Sequence, residues 1–198
     1  MTLFVKIGSA MLATVLLGSS VYAKDRDKVI FLDAGGGYSQ HQYSTSGTLT
    51  DVSEPDENGI VYGGALGFRL TDNYFFTLNY QKNALENVEF DNMFLTANFR
   101  FRFRRRSFAP YAGLLAGASI MHWDTPPVQT VTTVEDSTSL LVGAQFGTEY
   151  ILSPHWQLYG AYQYVKVSHK TKIVDEGSIK YNDAHHLILG LRFGFIDP

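Results

Sequence analysis

Six charged residues in this chain have the types and surroundings of a buried ion network: Asp33, Arg69, Arg100, Arg102, Glu149 and Arg192. Each lies in a run where apolar and polar residues alternate. The densest is "NFRFRFRRRSF" at 98–108, with Phe99, Phe101 and Phe103 interleaved between arginines. An unpaired charge in a low-dielectric interior is very costly, so arginines on an enclosed face need carboxylates. Four arginines and two carboxylates can satisfy one another there, helped by Asn79, Asn98, Gln145 and Gln157. A second chemistry to consider is a nucleophile beside a general base. The only near match is Ser168-His169, and adjacent residues of a strand point to opposite faces. Gly35-Gly36-Gly37 lacks the spacing and the following helix of a phosphate-binding loop.

The elements that hold these residues are strands. Period-2 alternation recurs eight times, beginning with "KVIFLDAGGGYSQ", "GIVYGGALGFRL" and "YFFTLNYQ". It continues through Met93–Phe103, "YAGLLAGASIM", Leu140–Tyr150, Trp156–Tyr164 and Leu187–Phe195. In each run one face is bulky and apolar; the other carries Gly, Ala and Ser beside Asp33, Arg69, Asn98, Gln145, Glu149 or Arg192. Strands of roughly ten residues suit a tilted bilayer crossing. Short turns, "TDN", "RRRSF" and "SPH", follow the even strands. Longer polar connections, near 41–59, 83–91, 122–138 and 166–183, follow the odd ones. The fold class predicted is all-β: an eight-stranded antiparallel up-and-down transmembrane barrel with short periplasmic turns and four longer extracellular loops. The aromatics Tyr38, Tyr80, Phe101, Phe103, Tyr150, Trp156, Tyr164 and Phe193 fall near the strand ends, where interfacial girdles sit.

Composition excludes several classes. A net charge of -3 argues against a nucleic-acid binder, and the absence of cysteine removes disulfides and thiolate metal sites. The opening "MTLFVKIGSAMLATVLLGSSVYA" has Lys6, an apolar core and small residues at Val21 and Ala23. It predicts a cleaved signal peptide over 1–23 and a barrel domain over 24–198. The core is short of the ~20 residues a spanning helix needs.

The segments "VLLGSSVYA", "FAPYAGLLAGA", "GAQFGTEYIL" and "HHLILGLRFGF" resemble the small eight-stranded outer-membrane barrels of the OmpA and OmpX type, in the bacterial surface-antigen superfamily. The resemblance spans the chain after the signal segment and marks architecture more than activity. It implies insertion by the outer-membrane assembly machinery and a side-chain-filled interior. A Glu at the position of Glu149, paired with lumenal basic residues, matches that pattern.

The function expected is non-enzymatic and structural, or adhesin-like through the loops, with a plugged, charged lumen. The partners are outer-membrane lipid and lipopolysaccharide, the assembly machinery and an extracellular loop ligand; no cofactor and no nucleic acid is expected. The alternatives are a lipid A-modifying enzyme and a carrier of small hydrophobic molecules. Barrel closure would bring His41, His169 and one of His185 or His186 together near the extracellular rim. Neutral imidazoles ligate Zn²⁺ or Cu²⁺, but no acidic partner is evident, so solvated histidines without a metal are the expectation.

Overall fold

The computed structural model describes residues 29–46, 57–101, 107–125, 136–153, 155–173 and 177–195. Eight strands form: β1 (Val29–Ser46), β2 (Asn58–Arg69), β3 (Tyr74–Ala84), β4 (Val88–Arg100), β5 (Phe108–Trp123), β6 (Ser137–Ile151), β7 (Trp156–Ile173) and β8 (Gly177–Phe195). Each pairs antiparallel with its sequence neighbours, and β1 pairs with β8 to close the barrel. Closure leaves no edge strand with unpaired backbone groups, which a hydrocarbon environment demands.

Residue type decides facing as the alternation predicts. Leu114, Leu140, Phe146, Leu187 and Leu189 are exposed on the outer wall, each by 60% or more. Their neighbours Leu115, Leu141, Gln145 and His186 are buried in the interior. Outer aromatics gather at two levels. Tyr38, Tyr62, Tyr80 and Tyr164 form one belt, and Tyr74, Phe99, Phe101, Phe108, Tyr150 and Trp156 the other. Phe103, expected in the second belt, lies outside the described residues.

Two of the connections expected to be long loops are instead mostly strand. β3 and β4 are joined by 85–87 alone, and β7 and β8 by 174–176. The reason is an inversion of polarity. Past the upper aromatic belt, the inward residues become apolar: Leu85, Val88, Phe90, Met121, Ile179 and Tyr181 form one buried cluster. The outward residues become polar, with Lys82 and Glu89 paired at 2.6 Å. The strands leave the apolar zone and continue as two paired groups, β7–β8–β1 and β3–β4–β5–β6, which pack on this apolar cluster with polar residues outward. A polar outer face with charged residues at alternate positions reads as loop when only a lipid-facing apolar stripe is sought. The pairing of β7 with β8 shifts register between Lys166 and His169. Against β1 the register shifts between Gln42 and Tyr43, and there β8 carries the extra residue, so Tyr181 and Ala184, three apart, are both buried.

Candidate functional site: the barrel interior

At the end of the barrel that carries the turns after β2, β4 and β6, charge is concentrated. Arg192 on β8 grips Asp33 on β1 through two bonds, Nε to Oδ1 at 2.7 Å and Nη2 to Oδ2 at 2.8 Å. Its Nη1 donates to Glu149 Oε1 on β6. Glu149 Oε2 in turn pairs with Arg100 Nε on β4 at 2.9 Å. Two positive and two negative groups so balance. All four side chains are nearly sealed from solvent, Glu149 completely. Phe31 lies 4.0 Å and Phe75 4.9 Å from the Arg192 guanidinium carbon, and the ring faces add attraction to the cation. Arg69 stands at the same end, on β2 opposite Val29 and Phe75. Arg102 lies outside the described residues.

Above this layer runs an amide ladder. Gln163 Nε2 donates to Gln145 Oε1 at 2.9 Å, Gln145 Nε2 to Asn98 Oδ1 at 2.7 Å, and Asn98 Nδ2 to Thr96 Oγ1 at 2.9 Å. The Thr96 hydroxyl meets that of Thr77, which takes Asn79 Nδ2 at 2.9 Å. Asn98 and Gln145, expected beside the ion network, bond each other in a layer of their own, and Asn79 joins it through the Thr77 and Thr96 hydroxyls. Packed against the ladder is an apolar layer of Phe94, Leu115, Leu141, Val165, Val167 and Ala184. These bulky interior residues were not anticipated from the sequence, which pointed to a Gly-, Ala- and Ser-rich interior. The glycines opposite them explain the fit: a Cβ at Gly117 would run into Phe94 and its neighbouring backbone.

His41 and His169 sit beneath the Leu85–Tyr181 apolar cap, and His186 lies level with the amide ladder, opposite Gln163. His41, His169 and His186 are each at most 2% exposed, so the expectation of solvated rim histidines is corrected. Their burial follows from the strands continuing past the membrane zone. His41 and His186 ring centres are 5.9 Å apart. Phe90 stacks on His41 at 4.4 Å and approaches His169 at 5.5 Å, so an aromatic ring stands between these two histidines. His185 faces outward, its Nδ1 2.6 Å from the Tyr162 hydroxyl. Among the described residues no group of three potential metal ligands forms.

One pairing escaped the sequence. His169 Nε2 lies 2.8 Å from Ser119 Oγ and its Nδ1 3.3 Å from Ser137 Oγ. Ser168, its neighbour, is exposed on the opposite face. Only cross-strand register reveals Ser119, fifty residues away. The pair has the distance of a nucleophile and base, yet both residues are fully buried, and Phe90 and Met121 cover this level.

A closed antiparallel wall with a leucine- and aromatic-rich exterior, two aromatic belts and a polar interior defines a small transmembrane β-barrel. The family model of the outer membrane protein β-barrel domain matches residues 11–193, and the chain belongs to that family. Among solved structures, Neisserial surface protein A is similar at 17% identity and a TM-score of 0.63, over 84% of this chain and 97% of that one. OprG from Pseudomonas aeruginosa gives 14% and 0.54, over 85% and 96%. The N-terminal barrel domain of OprF from the same organism gives 17% and 0.50, over 84% and 97%. At these identities the likeness concerns the fold. No curated protein matches the chain in sequence.

Proposed function

We propose that this chain is an integral outer-membrane barrel with a closed lumen, working as a structural and surface-interaction protein and not as an enzyme or a pore. A signal peptide over 1–23 exports it, the assembly machinery inserts it, and the rim bearing the 47–57 and 124–136 connections faces outward. The observation that supports the reading is the run of buried interior groups among the described residues: ion network, amide ladder with His186, apolar side chains, His41 and His169, apolar cap. An eight-stranded barrel has just enough interior for side chains, and among the described residues large ones occupy most of it, beside one small cavity lined by Gly35, Gly63, Asn79, Gln81 and Tyr159. A loop ligand would then be met by the rim alone.

The Ser119–His169 contact keeps the lipid A-modifying enzyme as the second reading. A catalytic pair must reach its substrate, whereas both residues of this one are buried. The test is a planar-bilayer recording of the refolded protein, with mass spectrometry of lipid A from cells expressing it. Silent recordings and unaltered lipid A are expected. Steady ohmic steps would overturn the closed lumen, and a changed acyl or phosphate pattern would restore the enzyme.

A further inference from the structure

Just past the upper aromatic belt, the outer wall of β7 and β8 turns basic. Lys166 and Lys170 are exposed and Lys180 is half-exposed. Lys170 and Lys180 are direct cross-strand partners, a placement that sets side chains close together and penalises like charges. Lys166 stands opposite Asp183, whose carboxylate accepts the Tyr164 hydroxyl at 2.8 Å and offsets at most one of the three charges. On the other side Lys180 faces Ser44. Among the described residues none of the three lysines forms an ion pair, whereas Lys82, across the barrel, is held by Glu89 at 2.6 Å. The wall thus carries a cationic group in which Lys170 and Lys180 repel each other and which, among the described residues, no ion pair holds.

The surroundings point to the kind of anion that would fit the remaining charge. On the same outer face, below the lysines, come Tyr164 and then Leu187, Leu189 and Leu191, all exposed. A ligand filling this surface has apolar chains along the leucines and negative groups at the level of the lysines. We propose that Lys166, Lys170 and Lys180 bind the headgroup phosphates of a phosphorylated lipid in the outer leaflet. A soluble polyanion would match the charge but would leave the adjoining apolar track unused. This assignment rests on the orientation given under Proposed function, with this rim outside.

The probes are diphosphoryl lipid A and its dephosphorylated form, titrated separately onto the folded full-length chain in detergent micelles. Native mass spectrometry counts the bound lipid. A lysine near an anionic lipid surface is worth about fivefold in affinity, so three together are worth about a hundredfold. The wild type is expected to prefer the phosphorylated form by that order. The Lys166→Gln/Lys170→Gln/Lys180→Gln variant should lose the preference, the triple arginine variant should keep it, and Lys82→Gln should leave it unchanged. Heat-modifiable gel migration checks that every variant folds. Equal binding of both lipid forms, or wild-type affinity in the triple glutamine variant, overturns the site. Equally tight, lysine-dependent binding of a sulfated polysaccharide overturns the lipid assignment. Orientation is read independently: Lys170→Cys on intact cells should react with a membrane-impermeant maleimide. Failure there, with lipid binding intact in micelles, would overturn the outer-leaflet source and the orientation while leaving the micelle result standing.

Discussion

Glu149→Ala is expected to destabilise the folded barrel by about 3–5 kcal/mol, because it takes a buried carboxylate from two buried guanidinium groups at once. Arg100 loses the carboxylate at 2.9 Å, and Arg192 keeps only Asp33. Neither arginine can shed its proton, and neither has a route to solvent from a side chain 3% exposed. The layer then carries two positive charges against one negative. Glu89→Ala is the control, since it removes an ion-pair carboxylate of comparable distance at a site about a quarter exposed. Exposed pairs contribute ~0–1 kcal/mol. Urea titration of both variants in lipid vesicles reads the difference. Equal, small shifts of the two midpoints would mean that Glu149 is hydrated in the native barrel, and the ion network would lose its structural role.

The second large effect comes from a residue with no side chain. Gly67 on β2 faces inward, and a Cβ placed there would overlap the ring of Phe31. That ring is 1% exposed, meets Phe75 edge-on at 6.0 Å and lies 4.0 Å from the Arg192 guanidinium carbon. It cannot yield without disturbing the ion layer. Gly67→Ala should therefore cost about 1–3 kcal/mol, the usual penalty for overfilling a packed interior. Gly160→Ala, where the nearest atoms stand at an ordinary 3.9 Å, should be close to neutral. Adding Phe31→Leu to Gly67→Ala should recover part of the loss by opening room for the new methyl group. A Gly67→Ala variant as stable as the wild type would show that the Phe31 ring does not pack over Gly67 when the barrel is in the membrane.

The barrel was legible because lipid on one side and a narrow interior on the other impose a two-residue period on every strand. Ile30, Leu32 and Tyr38 against Phe31, Asp33 and Ser39 already place both faces of β1, and the structure exposes and buries them accordingly. Asp33, Arg100, Glu149 and Arg192 could be assigned to one end from strand direction alone, since odd strands rise and even strands fall. Which carboxylate meets which arginine could not, because pairing across the lumen depends on the stagger of strands that are not neighbours in sequence. The same ignorance hid Ser119 from His169. The strand extensions around Phe90, Val167 and Ile179 were lost for another reason: beyond the belt apolar residues turn inward, so the lipid-facing signal vanishes while the strand goes on.

A lumen closed by its own side chains is tested most directly by thiol accessibility, for which a chain without cysteine is well suited. Ser119→Cys places a thiol on the inner wall, where the serine is fully buried. Ser168→Cys places one on the outer wall beside the same histidine, at an exposed position. Folded protein in vesicles is treated with a small water-soluble methanethiosulfonate. A closed lumen predicts rapid modification at position 168 and none at 119 until urea unfolds the barrel. Reaction of folded Ser119→Cys at a rate comparable to Ser168→Cys would contradict it, because water and solutes would then reach the interior.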